Sequence, residues 1–311
     1  MKILVTGGAG FIGSHVQDAY LKAGHQVAVL DNLSTGQKEF IHPDAIFYRA
    51  DIRDAREVFG ILDGGNFDVV NHHAAQMDVR ASVRDPAYDA SVNILGGLNL
   101  LEAAVKTGVK QFIFASTGGA IYGEQNTFPA PEDHPLSPES PYGVSKLSLE
   151  KYCDFYTRTY GLRAFILRYG NVYGPRQNPH GEAGVVAIFS EKLVRGETPT
   201  IHGDGEQTRD FVHVSDAVRA NLMALEFDGN AVTNIGTGVE SNINTVFRHL
   251  VACTGNSAEA KHGPPKKGEQ RRSVLDYSRV KTLLGWEPTV GIREGLRQTY
   301  RYFADRRSKS Q

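Results

Sequence analysis

The 311-residue chain is short of cysteine, tryptophan and methionine, with two, one and three, and it has almost no net charge, since 34 Lys and Arg stand against 35 Asp and Glu. The two cysteines, Cys153 and Cys253, lie far apart in helix-like segments. They do not suggest a disulfide framework, and the expected state is reduced, buried and structural, which suits a cytoplasmic protein. The near-neutral balance removes the electrostatic reason to expect a nucleic acid partner. No apolar run is long enough to cross a bilayer, and Met1-Lys2 leads into a core strand rather than a signal peptide, so no membrane role is expected. Internal repeats, long linkers and low-complexity tracts are missing too. No metal is expected: His72 and His73 would point to opposite faces of a strand, and His249 and Cys253 share a helix face without further ligands.

What is present is 33 glycines and an ordinary apolar content of 41%, enough to bury a core. The chain opens with Lys2-Ile3-Leu4-Val5-Thr6-Gly7-Gly8-Ala9-Gly10-Phe11-Ile12-Gly13, an apolar strand, a Gly-rich turn and a helix running to about Ala23. Gly7, Gly10 and Gly13 serve a tight turn, a close backbone approach to a diphosphate, and close packing of helix on strand. A second apolar run, Gln26 to Leu30, ends in Asp31, whose carboxylate suits the two ribose hydroxyls of NAD and repels the extra phosphate of NADP. Further strand-length runs follow at Ile46 to Arg49, Val69 to His72, Phe112 to Ala115 and Phe165 to Arg168, alternating with helical patterns. The pattern predicts an α/β protein with a Rossmann-like, doubly wound parallel sheet that binds ligands at the carboxyl ends of its strands. Alternation weakens later, which predicts a smaller α/β substrate-binding region interleaved with the first.

Pro141-Tyr142-Gly143-Val144-Ser145-Lys146 starts a helix-like run that continues through Ile166. Tyr142 and Lys146, four residues apart, share one helix face. A phenol titrates near ~10, and its use as a base at neutral pH asks for a drop of about 3 units, roughly 4 kcal/mol. One Lys charge at ~5 Å in an effective dielectric of about 20 supplies on the order of 3 kcal/mol. A nearby cationic ring, such as an oxidised nicotinamide, would supply the rest.

With these pieces together the chain resembles the extended short-chain dehydrogenase/reductases, and most closely their UDP-glucose 4-epimerase (UDP-galactose 4-epimerase) branch. The matching stretches are Thr6 to Gly13, Asp31 to Gly36, Ala50 to Asp54, His72 to Gln76, Ser116 to Gly123, Tyr142 to Lys146, Leu167 to Gln177 and Gly203 to Val214. The resemblance implies bound NAD, touched by Gly7, Gly10, Phe11, Ile12 and Gly13, and by Asp31, Asn32, Ser34, Thr35 and Gly36. It adds Asp51 and Ile52 beside the adenine, then His73, Ala74, Ala75 and Gln76, and finally Asn93, Ala115, Tyr142, Lys146 and Tyr169. Many relatives carry a Lys where Met77 stands, so one cofactor contact is expected to be absent. Tyr142 is implied as the base and Lys146 as its helper. A hydroxyl at the end of the fifth strand would bind the sugar hydroxyl that Tyr142 deprotonates; Thr117 is preferred, with Ser116 as the alternative, because this chain is one residue longer than the common pattern before Tyr122-Gly123.

The same resemblance implies a UDP-sugar substrate held by Thr117, Tyr142, Asn171, Gly184, Val185 and Val186, with a helix from Val186 onward. Arg209, in a turn-rich loop, would pair with phosphate. Where the family has Arg-x-Gly-Asp the chain has Lys266-Lys267-Gly268-Glu269, so Lys266 and Glu269 become the candidate contacts without the bidentate fork of Arg. Four residues past Glu269 is Ser273, at a position that lines the wall beside the sugar's C2 substituent; otherwise it reads as an ordinary surface serine. The implied reaction is NAD-dependent epimerisation at C4 of a UDP-hexose through a 4-keto sugar. Related dehydratases and decarboxylases carry an acid two positions before the Tyr-Gly of this motif, where this chain has Ala120. A non-catalytic NAD sensor is expected to have lost Tyr142 or Lys146. The domain reading is an NAD-binding region over 1–170 with later segments of about 210–236, and a substrate region over 171–311. The family's pairing of two long helices per subunit, here about Asp85 to Lys106 and Tyr142 to Tyr160, implies a homodimer. The polar tail from Arg306 is expected to fray.

Overall fold

Strands and helices alternate as the apolar runs require. The structure, a computed structural model, describes residues 1–180, 184–255, 257–265 and 270–308. The first half runs β1 (Lys2–Thr6), α1 (Phe11–Lys22), β2 (Gln26–Leu30), β3 (Ile46–Tyr48), α2 (Ala55–Gly65), β4 (Val69–His72), α3 (Val79–Arg84), α4 (Pro86–Ala90), α5 (Gly96–Lys106), β5 (Gln111–Thr117), α6 (Gly118–Ile121), α7 (Pro141–Tyr160) and β6 (Arg163–Tyr169). It continues with β7 (Asn171–Tyr173), α8 (Val185–Val194), β8 (Thr200–His202), β9 (Thr208–His213), α9 (Val214–Leu225), β10 (Ala231–Ile235), β11 (Glu240–Asn242), α10 (Ile243–Thr254), β12 (Lys261–Gly263), α11 (Ser278–Leu284) and α12 (Ile292–Ser308). Ser91–Leu95 make a π-helical turn between α4 and α5.

Seven strands form one sheet in the order β10-β6-β5-β4-β1-β2-β3. The β1–β2, β1–β4, β2–β3 and β4–β5 ladders are parallel. The fold is the doubly wound, Rossmann-like α/β class. Strand order reverses between β1 and β4, so the crevice at their carboxyl ends is the ligand position of such sheets. Ile3, Leu4, Val5, Val29, Val70, Phe112 and Phe114 are buried without alternation, as expected of strands covered on both faces.

Two compact units partition the chain: residues 1–121, 138–168 and 218–233, and residues 122–137, 169–217 and 234–311. In the first, Leu100, Leu101, Leu149, Cys153 and Tyr156 pack with the sheet residues. The second holds strand order β11-β9-β7 and the β12–β8 pair. Its core is Tyr173, Phe189, Phe211, Phe247, Leu250 and Leu296. Two buried carboxylates pin its loops: Asp210 accepts from the backbone of Thr237, Gly238 and Leu275, and Asp216 from Thr289 and Val290.

Some expectations are corrected. The helix from Pro141 stops at Tyr160, not Ile166, because Gly161 takes the left-handed conformation at φ 73° and the chain turns into β6. Its start is as anticipated, with Pro141 in the first turn and the Ser140 hydroxyl accepting from Gly143 N. Arg306 and Arg307 continue α12 rather than fray, and the Arg307 guanidinium donates to Val194 O at 2.6 Å. Cys153 is buried, but Cys253 is partly exposed.

Candidate active site

The Gly-rich turn between β1 and α1 is built from contacts no side chain could share. Gly7 has φ 69°, and a Cβ there would stand 2.5 Å from Ala74 N. A Cβ on Gly13 would lie 2.3 Å from Gly7 O. Helix and turn are thereby drawn together, leaving the amino end of α1 at Phe11 and Ile12, where the first backbone N–H groups of a helix are free to meet an anion. A Cβ on Gly10 would meet only Gly7 O, at 3.1 Å.

Asp31 follows β2 and is buried. Its carboxylate accepts from Ala9 N at 3.0 Å and Leu33 N at 2.8 Å, and burial pushes its pKa up. The same bond holds Leu33 at φ 60°, a costly conformation for a leucine. Asn32, Ser34 and Thr35 are exposed beyond it, while a Cβ on Gly36 would strike Ala9 and Asp31. Asp51 accepts a hydrogen bond from Asn32 and a bidentate pair from Arg53, which hold it well below the usual carboxylate range; Ile52 is buried in the core.

At the end of β4, His72 packs between Thr6, whose hydroxyl lies 2.7 Å from Nδ1, and the ring of Phe114. Burial first, then the Lys146 charge, hold both imidazoles low, His73 at about 3. His73, Ala74, Ala75 and Gln76 lead away from the strand, and Asn93 clasps this segment, accepting from Gln76 N at 2.9 Å and donating to Gln76 O at 2.8 Å.

Tyr142 and Lys146 lie on one face of α7 against the end of β5, as the four-residue spacing requires. Lys146 Nζ stands 5.9 Å from the Tyr142 ring centroid and 4.9 Å from that of Phe114, and it donates to Ala115 O at 2.9 Å. Burial drives the Lys146 pKa down to about 8, against the pull of Asp89 and Glu150. The phenol differs from expectation. Burial pushes Tyr142 up, the Asp89 charge pushes it further, and the hydroxyl of Thr117, within hydrogen-bonding reach, lowers it. The lysine therefore does not make the phenol acidic by itself, because one buried cation competes with the desolvation of the phenolate.

Of the two hydroxyls ending β5, Thr117 reaches Tyr142, whereas Ser116 donates to Glu150 Oε1 at 2.5 Å. Glu150 is also held by Arg168, at 3.0 Å through Nε and 2.7 Å through Nη2, in a buried ion pair. Sequence reading missed Glu150, Arg168 and Asp89. Glu150 lies one further four-residue step along the Tyr142–Lys146 face, and Asp89 four residues before Asn93, but spacing alone does not tell a buried charge from a surface one.

Other candidate residues belong to the second unit. Tyr169 is buried and Asn171 exposed at the start of β7. Gly184 precedes α8, which starts at Val185, one residue earlier than expected; Val186 faces the core. Arg209 is not in a loop: it sits on β9 and donates to Thr208 O at 2.7 Å. Ser273 is only 2% exposed, not a surface serine. Lys266 and Glu269 lie outside the described residues. Among the described residues, no cluster of His, Cys, Asp or Glu is arranged to hold a metal, and no helix is long and apolar enough to cross a membrane.

The glycine cradle, the buried Asp31 and the Tyr142–Lys146 pair fit a dinucleotide. Residues 3–236 match the model of the NAD dependent epimerase/dehydratase family. The crystal structure of a UDP-glucose 4-epimerase with UDP-glucose from Thermotoga maritima is 52% identical, with a TM-score of 0.97 and 100% of both chains covered. The Thermus thermophilus UDP-glucose 4-epimerase in complex with NAD is 46% identical, with a TM-score of 0.93, over 97% of this chain and 99% of that one. A putative UDP-glucose 4-epimerase from Methanocaldococcus jannaschii is 47% identical over 296 residues, 95% of this chain and 96% of its own. The chain belongs to the NAD dependent epimerase/dehydratase family and is one of its epimerases, with NAD as cofactor.

Proposed function

We propose that the enzyme inverts C4 of a UDP-hexose, interconverting UDP-glucose and UDP-galactose through a 4-keto sugar. The observation that carries this reading is the Thr117–Tyr142–Lys146 cluster at the carboxyl end of β5, in a chain whose relatives named above are UDP-glucose 4-epimerases. NAD, when bound, would supply a cationic nicotinamide ring able to accept a hydride from C4 and return it. The chain's own part is proton chemistry and positioning. Tyr142 takes the proton from the sugar O4 and gives it back, Thr117 orients that hydroxyl, and Lys146 keeps a positive charge beside the phenol. Gly7, Gly10, Gly13 and the start of α1 hold the diphosphate of the cofactor, and Asp31 selects the free ribose of NAD over NADP. Asn171, Arg209, the segment from Gly184 to Val186, and Lys266 and Glu269 take the nucleotide-sugar. Ala120, preceded by Gly118-Gly119, offers no carboxylate for elimination, which weighs against a dehydratase or decarboxylase.

The assembly we propose is a homodimer. Val83, Leu95, Val144, Phe155 and Tyr160, on α3, the π-turn and α7, are exposed apolar residues of the kind a second copy covers. The two free cysteines suit a reducing cytoplasm. Purified protein incubated with UDP-glucose and followed by NMR is expected to approach an equilibrium with UDP-galactose without added oxidant. A 4-keto-6-deoxy or pentose product would overturn the epimerase reading. Tyr142→Phe is expected to lose activity ~10²–10⁴-fold while keeping the fold; more than about a tenth of wild-type turnover would remove Tyr142 from the role of base.

A further inference from the structure

Asp89, on α4, is fully buried and has no part in the chemistry assigned above. Its Oδ1 accepts from Gln76 Nε2 at 2.9 Å and from Asn93 Nδ2 at 3.0 Å, and its Oδ2 accepts from Ser145 Oγ at 2.6 Å. Ser145 is the neighbour of Lys146 on α7, and Gln76 belongs to the segment leaving β4 that Asn93 clasps. One carboxylate thus ties together three segments that converge on the Tyr142–Lys146 pair. All three donors are neutral. An amide of the same shape would serve them equally, since its oxygen can accept from Gln76 and Asn93 while the Ser145 hydroxyl turns to accept from its nitrogen. Burying a charge among neutral donors is costly and tethering alone does not ask for it, so the charge has a use of its own.

We infer that Asp89 is a positioning residue of the reaction, seating the Tyr142–Lys146 segment of α7 through Ser145 and setting the field in which that pair works. The inference rests on the proposed role of Tyr142 as base. The other ionisable groups around the pair are Glu150 on α7, itself paired with Arg168 on β6, and His72 and His73 at the end of β4. On α3, Arg80 and Arg84 are exposed, and α6 carries no charged residue. The Asp89 charge raises both the phenol and the ammonium, so both effects vanish together when it is neutralised.

The test uses the holoenzyme turning over UDP-glucose across pH. Asp89→Asn is expected to move both limbs of the kcat/KM profile to lower pH by about half a unit or more. The phenolate absorbance of Tyr142, read as the difference between Asp89→Asn and the double variant with Tyr142→Phe, is expected to move the same way. Ser145→Ala, which cuts the tether and keeps the charge, is expected to lower kcat about tenfold and leave both limbs in place. Limbs and absorbance that stay at their wild-type pH in Asp89→Asn overturn the inference. If Asp89→Asn does not fold, Asp89→Ser decides, because it also removes the charge: limbs that move to lower pH support the inference, and limbs that stay at their wild-type pH overturn it. Tyr142→Phe measured alongside separates the two layers: turnover surviving there refutes the base, whereas an inactive Tyr142→Phe with unmoved limbs in Asp89→Asn refutes the role of Asp89 alone.

Discussion

The Ser116 hydroxyl donates to Glu150 Oε1 at 2.5 Å, so the two adjacent hydroxyls that end β5 have different partners. Thr117 faces the Tyr142 phenol, while Ser116 is bound into the Glu150–Arg168 pair beneath it. The ambiguity between them in the sequence is thereby reduced to a measurable difference. Thr117→Val, which keeps the shape, is expected to lower kcat by about two orders of magnitude or more, the range of a group that assists proton transfer. Ser116→Ala is expected to stay within about tenfold of wild type in kcat and to lose stability instead. A reversal of these two outcomes would make Ser116 the hydroxyl that touches substrate.

Glu150 has no contact with the phenol, and its variants are expected to report on folding first. It is 4% exposed, paired with Arg168 through two nitrogens and with Ser116 through one hydroxyl. Glu150→Gln leaves the Arg168 charge buried beside a neutral amide, and removal of one partner from such a pair costs about 3–5 kcal/mol. Glu150→Gln combined with Arg168→Met is expected to recover much of that loss in urea unfolding. A double variant no more stable than the single one would mean that the hydrogen bonds of Glu150 matter more than the charge it neutralises.

The sheet was legible because each of its cues is local. A parallel strand buried on both faces is a plain apolar run, and turns requiring positive φ or close backbone approach ask for glycine, as Gly7 and Gly161 do. Tyr142 and Lys146 were legible because a helix turns four residues into neighbours. The charges around them were not, because Asp89, Glu150 and Arg168 read as ordinary surface residues until long-range packing buries them. The end of α7 was missed for another reason: from Leu162 to Leu167 the chain is apolar apart from Arg163, an almost continuous run that suits a buried helix as well as a strand, and the glycine at 161 decides between them. The direction of the phenol's shift also depends on burial, which spacing alone does not report.

Lys146 carries a pH dependence that stability measurements can read. Burial lowers its ammonium from 10.5 to about 8. Below pH 8 both folded and unfolded chains hold the proton, and the folded chain bears the full cost of a buried charge. Between about 8 and 10.5 the unfolded chain binds more protons, so this contribution to stability rises with pH. The full amount is about 3 kcal/mol. The buried Tyr142 and Cys153 act in the opposite direction at higher pH, so the comparison is with Lys146→Met rather than with wild type alone. The variant's stability relative to wild type is expected to be highest near pH 7 and to decline through pH 8–10.5. A gap that stays constant over that range would mean that burial does not lower the Lys146 ammonium below its value in the unfolded chain.

Ser273 bears on the breadth of the sugar site. It is buried at 2% exposure, between Arg272, whose guanidinium pairs with Glu240, and Val274, whose N–H donates to Gln125 Oε1 at 3.0 Å. The Val274 contact holds the backbone beside this position, so a change of side chain here acts on the space around it rather than on the course of the chain. In the proposed reading Ser273 forms the wall beside the sugar's C2 substituent, and a residue this small leaves room for an N-acetyl group. UDP-N-acetylglucosamine is then expected to be epimerised with kcat/KM within about tenfold of UDP-glucose, the scale of one or two methylenes in a pocket. Ser273→Tyr is expected to abolish the acetylated reaction and to spare the other, because its added ring fills the same space. Wild-type protein active on UDP-galactose but inert toward UDP-N-acetylglucosamine would show that a different residue closes the pocket. Equal loss of both activities in Ser273→Tyr would show that the buried position cannot take the ring without disturbing the unit that holds it.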